Sequence, residues 1–153
     1  MAFLSSMNIV ASGLTMQQLR LDVVSENITN MGTTRTEAGG PYRRKLVEVE
    51  AIEGRDAFRR ALARAQGAPV SNAGYSATGG VRVTGIVEDQ SDFKLTYDPT
   101  HPDANEEGYV EMPNVDLIKE TADAMAASQA FNANITAFNV LKAVVAKGLE
   151  IGK

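Results

Sequence analysis

The sequence predicts an α+β protein. Long N- and C-terminal α-helices form a helical hairpin or coiled coil, with a small β-rich middle module between them. Three observations carry this. Residues 3–31 place a side chain on one narrow seam by alternating steps of four and three. Residues 115–151 contain no proline and a single glycine, Gly148, and repeat that spacing. The chain between them breaks into short alternating runs separated by glycine- and proline-rich turns.

The first seam reads Phe3, Met7, Val10, Leu14, Gln17, Leu21, Val24, Ile28, Met31. All but Gln17 are apolar, and the positions between are mostly polar. A narrow stripe of this kind belongs to a helix that pairs with other helices and draws its stability from whatever covers the stripe. Gln17 has two readings here: a polar residue tolerated in the seam, or one that fixes its register. The pattern breaks at Thr29-Asn30-Met31-Gly32, where Asn and Gly suit a helix end because both tolerate the left-handed conformation.

Residues 33–44, TTRTEAGGPYRR, read as an extended connector. Lys45–Ile52 alternates, with Val47, Val49 and Ala51 on one face and Glu48 and Glu50 on the other, a strand with one wet side. Residues 54–66 are rich in Ala and Arg, with Asp56 as a candidate cap, and suit a short helix or an excursion. Residues 67–80 read as a loop. Val81–Val87 and Phe93–Tyr97 are strand candidates joined by a polar turn, which suggests a hairpin. The run DPTHPDANEEGYVEMP, residues 98–113, holds three prolines and reads as an irregular crossing. Asn114 then suits an N-cap, with Asp116 and Glu120 near the positive end of the helix. The second seam reads Phe131, Ile135, Phe138, Val145, Leu149, interrupted at Lys142, amid abundant alanine. The expected division is 1–32 for the first helix, 33–113 for connector and module, and 114–153 for the second helix. The two helices form the assembly core.

Composition narrows the function. The chain has 153 residues, 44% of them hydrophobic, with 6% aromatic residues and no Trp. Its net charge of −4 argues against a nucleic-acid surface, which needs dense positive charge. The absence of Cys excludes disulfide and thiol chemistry and suits an oxidising compartment. No apolar run reaches membrane-spanning length, and the first cation is Arg20, so the N-terminus does not read as a cleaved signal peptide.

Three blocks together resemble the flagellar basal-body rod proteins. They are SGLTMQQLRLDVVSENITN (12–30), followed by TTRT (33–36) and GGPYRR (39–44); YDPTHPDANEEGYVEMPNVD (97–116); and NANITAFNVLKAVVAKGLEIGK (132–153). The first and third are also similar to the wider axial family of rod, hook and filament-junction proteins. The second, with GGPYRR, points to the proximal rod. Residues 53–80 fit no pattern of the family. The resemblance implies a structural subunit, not an enzyme, without cofactor or metal. It implies export through the flagellar type III apparatus without a cleaved leader, and assembly with copies of itself and other rod proteins near the MS-ring and export gate. The product is a hollow periplasmic shaft that transmits torque. Its assembly interface would be the two seams, from Phe3 to Ile28 and from Phe131 to Leu149.

Asp103-x-Asn105-x-Glu107-Gly108 mimics the start of a calcium loop, but the twelfth position is Asn114. A structured acidic turn is the alternative. His101 is the one histidine, and a metal or catalytic role would need partners that no cluster supplies; a hydrogen-bonded loop residue is the other reading. No spacing singles out two carboxylates for a cell-wall hydrolase. Gly79-Gly80 lacks the Lys-Ser/Thr of a phosphate loop. A membrane-surface amphipathic role would need a cationic helix face, and the first helix offers only Arg20. Arg35, Arg43 and Arg44 form a small basic cluster, suited to an inter-subunit contact or to a solvated loop.

Overall fold

The computed structural model describes residues 2–52, 62, 65, 66 and 79–151. The expectations for residues 54–66 and 67–80 fall almost wholly outside this set. The element order is α1 (Ala2–Thr29), β1 (Lys45–Ala51), β2 (Val81–Glu88), β3 (Lys94–Tyr97), β4 (Tyr109–Met112) and α2 (Leu117–Ile151). At about 1.5 Å per residue, α1 is about 42 Å long and α2 about 52 Å.

The helices form the expected hairpin. Asn27 on α1 hydrogen-bonds Glu120 on α2. Gly13, fourteen residues earlier on α1, faces Asn134, fourteen residues later on α2, as an antiparallel pair requires. A Cβ on Gly13 would stand 3.0 Å from the Asn134 amide nitrogen, so the Asn134 side chain would have to shift to admit one.

The chain gathers into two units: residues 1–17, 49–84 and 130–153 in one, and 18–48 and 85–129 in the other. In the first, the start of β2 is fastened to α1 by Ser12. Its hydroxyl donates to the Ile9 carbonyl (2.7 Å) and accepts from the Val81 amide (3.1 Å). Gly80 permits this approach at a φ of +148°. In the second unit the apolar core is Val23, Val24, Tyr42, Val110, Val115 and Ala127.

Four local expectations are corrected. No residue in the left-handed region ends α1; the positive-φ glycines are Gly39, Gly40, Gly80 and Gly108. Instead Asn30 closes the helix with its own amides, both donating to the Glu26 carbonyl at 3.0 Å, so Met31 lies beyond the helix and is exposed. Asp116, rather than Asn114, caps α2, its carboxylate accepting from the Ile118 amide at 3.0 Å. Asn114 is spent elsewhere: it accepts from the Arg44 amide and donates to the Asp89 and Ser91 carbonyls. Those contacts explain the third correction. The 88–92 turn is held from outside by Arg43 and Asn114, and its flanking strands do not pair. The sheets are β1–β2 and β3–β4. The fourth is β4 itself, a strand in the stretch read as irregular, antiparallel to β3 with Tyr97 opposite Tyr109. Its prolines lie outside it: Pro99 and Pro102 precede it and Pro113 ends it, so no ladder donor is lost.

The one-wet-side pattern of β1 holds only at its start. Val47 is half-buried, whereas Val49 and Ala51 are exposed.

Candidate assembly surface and its polar core

The seam of α1 largely turns inward. Met7, Val10, Leu14, Leu21 and Ile28 are half-buried, and Gln17 and Val24 are buried; the Phe3 side chain lies outside the described set. On α2 the inward positions include Glu120, Ala124, Ala127, Phe131, Asn134, Phe138, Leu141 and Val145, spaced by alternating fours and threes, with Ala130 and Ala137 half-buried beside them. Phe131, Phe138 and Val145 of the sequence reading belong to it. Ile135 and Leu149 do not; they are 38% and 71% exposed in the single chain. Leu141 lies outside the expected seam, and so do Glu120 and Asn134, which a pattern of apolar residues alone does not reach. Stepping back from Phe131 by four, three and four would have reached Glu120.

Gln17 is buried, and its carbonyl oxygen meets no donor among the described residues. A buried acceptor left unpaired costs about 1–3 kcal/mol. Gln17→Leu is therefore expected to stabilise the isolated chain by about 1 kcal/mol, seen as a higher urea midpoint. An unchanged or lower midpoint would show that this oxygen finds a partner in solution.

A second set of buried residues is polar and ties three segments together in the second unit. Asn27 on α1 is 1% exposed, and Glu120 on α2 is fully buried. The Asn27 amide donates to Glu120 (3.0 Å) and to the Lys45 carbonyl (2.9 Å), and its oxygen accepts from the Tyr42 hydroxyl and the Lys45 amide, both at 2.9 Å. The Arg44 guanidinium donates through Nε to the other oxygen of Glu120, and through Nη2 to Asp123 at 3.0 Å. The GGPYRR connector thus supplies Tyr42 and Arg44, α1 supplies Asn27, and α2 supplies Glu120. No donor or acceptor of Asn27 is wasted, which is the condition under which a buried polar network adds order instead of cost.

Electrostatics agree with this geometry. Burial would lower the Arg44 pKa, but the bond to Glu120 and the charges of Glu120, Asp123 and Asp89 outweigh it and hold the guanidinium charged. Burial, then the nearby charges of Glu26, Glu120 and Glu88, push the Tyr42 phenol up from 10.0 to about 12. The folded chain therefore keeps a proton that the unfolded chain gives up above pH 10. This contribution to stability is complete below pH 10 and is lost as pH rises to about 12. Stability should fall across that window in an alkaline titration followed by circular dichroism. Tyr42→Phe should flatten the fall there; an equally steep fall would exclude Tyr42 as its source.

The basic cluster divides three ways. Arg35 reaches Asp103 at 3.9 Å, Arg43 lies 4.3 Å over the Phe93 ring, and Arg44 enters the polar core. The polar side chains of residues 101–108 bond within the loop and to the connector. The Asn105 side chain accepts from the Glu107 and Tyr109 amides, and Asp103 accepts from Thr34. His101 Nδ1 accepts from the Asp103 amide at 3.1 Å. Among the described residues no group of His, Cys, Asp and Glu gathers that could hold a metal, and no helix is long and apolar enough to cross a membrane.

Comparison with known proteins agrees with this architecture. Residues 7–35 match the family model described as flagella basal body rod protein, and residues 106–148 match that of the flagellar basal body rod FlgEFG protein C-terminal. The flagellar basal-body rod protein FlgC of Bacillus subtilis is 47% identical over 152 residues, covering 97% of both chains. That of Borreliella burgdorferi is 40% identical over 156 residues, 99% of this chain and 98% of the relative. That of Escherichia coli O6:H1 is 35% identical across the full length of both. Likeness of this depth from end to end, on a chain built as two seamed helices around a small strand module, means that the protein belongs to the FlgC family of flagellar basal-body rod proteins, structural subunits of the rod.

Proposed function

We propose that this subunit builds the proximal rod by packing its terminal helices, residues 1–32 and 114–153, against those of neighbouring copies and other rod proteins. The β-rich segment 33–113 decorates that core. The chain passes unfolded through the flagellar type III apparatus without a cleaved leader. It orders against the MS-ring and export-gate region as part of a hollow periplasmic shaft that transmits torque.

The observation that carries this reading is the outward side of α2. Residues 124–141 contain no charged side chain at all. Met125, Ile135 and Val140 stand exposed there among Ala, Ser, Thr and Asn, and Val144 and Leu149 continue the exposed apolar side beyond it. A solvated helix of a monomer carries charge on its outer face, whereas a face of small and apolar residues suits close approach of further helices. The inward seam residues then serve the cover within the chain, and Ile135 and Leu149 serve the one between chains.

Removal of residues 149–153 tests this. The shortened protein is expected to keep the second unit folded, shown by unchanged protection of Val110 and Val115 from hydrogen exchange. Basal bodies isolated from cells carrying it should lack the subunit, and the cells should not swim. Normal motility would overturn the proposal.

A further inference from the structure

We infer that the groove between the Gly39-Gly40-Pro41 loop and the β3–β4 sheet receives the arginine-rich segment 54–66 of a second copy of this chain. The inference rests on the packing of copies proposed above.

The groove has a volume of about 430 Å³ and is lined by Pro41, Leu95, Tyr109 and Glu111, with Thr34, Arg35 and Asp103 at one side. Tyr109 in that lining is braced by Tyr97 beside it. Tyr97 and Tyr109 meet edge to face with ring centres 5.3 Å apart. Gly108, at a φ of +83°, clears room for the Tyr97 ring, which would stand 2.9 Å from any Cβ placed there. In the single chain this surface stays open: Leu95 is 66% and Tyr97 65% exposed.

The surrounding charge is net acidic: the one cation in the lining, Arg35, is spent on Asp103 at 3.9 Å, which leaves Glu111. Residues 97–116 hold Asp98, Asp103, Glu106, Glu107, Glu111 and Asp116, and no Lys or Arg. Glu106, Glu107 and Glu111 are exposed and form no ion pair with another described residue. An aromatic and aliphatic floor with a carboxylate rim calls for a ligand that alternates guanidinium with apolar groups, because arginine both pairs with carboxylates and lies on aromatic faces.

The chain itself carries such a ligand. GRDAFRRALARAQ, residues 54–66, holds Arg55, Arg59, Arg60 and Arg64 with Phe58 and Leu62, against the single acid Asp56. Its position gives it reach. The Ile52 amide donates to the Gly80 carbonyl at 2.8 Å, so residues 53–78 leave and return at one point. A chain of that length extends at most about 40 Å out and back.

The absence of native cysteine makes the test direct. Glu111→Cys and Arg60→Cys are combined in the full chain, expressed in motile cells, and basal bodies are isolated and oxidised. Covalent dimers and higher multimers are expected on a non-reducing gel, with mass spectrometry identifying a 60–111 bond between copies. Either single variant should give at most dimers through like residues, without a 60–111 bond. A 60–111 bond confined within one chain, or no 60–111 bond at all, overturns the inference. An immunoblot of the same basal bodies separates the two readings. If the double variant is present in the rod but does not cross-link, rod assembly stands and this contact falls.

Discussion

Glu120→Ala is expected to unfold the second unit near room temperature, at a cost of about 3–5 kcal/mol, the range for breaking a buried ion pair from one side. Arg44 has most of its side chain out of solvent and loses the carboxylate that neutralises it. Asn27 loses an acceptor at a position 1% exposed. Two elements would then be released together, the connector through Arg44 and α1 through Asn27. Glu120→Gln keeps the shape and one acceptor, so it should cost less, with Arg44 still bonded to Asp123 and beside Asp89. Urea titration followed by helical circular dichroism measures both. A cost for Glu120→Ala below about 1 kcal/mol would mean that solvent already reaches the pair. Paired with Arg44→Ala, the substitution should be strongly non-additive, because each variant removes the same bond.

Gly80→Ala is expected to cost about 2–4 kcal/mol in the first unit. Two effects add. The residue holds a φ of +148°, which an L side chain resists at about 1–3 kcal/mol. The new methyl would also stand 2.8 Å from the Ser12 hydroxyl. That hydroxyl cannot simply turn aside, because it bridges the Ile9 carbonyl and the Val81 amide. Freeing it gives up bonds worth about 0.5–1.5 kcal/mol each. Ser12→Ala in the same chain should recover the clash but not the backbone strain, and so should restore only part of the loss. Hydrogen exchange of the Val81 amide is the local readout. If that amide stays protected in Gly80→Ala, the backbone there is less constrained than its φ implies.

Several elements were legible in the residues. Both helices follow from spacing alone, since a stripe every three and four residues has one regular backbone that gathers it. Three strands followed from alternation. The fourth, Tyr109–Met112, was hidden by the neighbouring prolines, although none falls inside it. The pairing of strands was not local information. The Glu88–Asp92 turn has hairpin composition, yet side chains distant in sequence, Arg43 and Asn114, occupy its carbonyls. The place of the α1 terminus was legible, but not its means: Asn30 can end a helix by its backbone or by its side chain, and composition does not choose between them.

The sequence by itself determined that this protein is two seamed helices seeking cover, with alternating strands between them, because the period of apolar residues depends only on the geometry of each element. Tertiary structure decided which polar residues were buried. Asn27, Tyr42, Arg44 and Glu120 look like ordinary solvated side chains in isolation, and only the antiparallel closure of α1 on α2 brings 27 to 120 and the connector onto both. A buried polar group is tolerable only where a partner of matching geometry waits. That condition joins residues more than ninety positions apart, and no local pattern can express it.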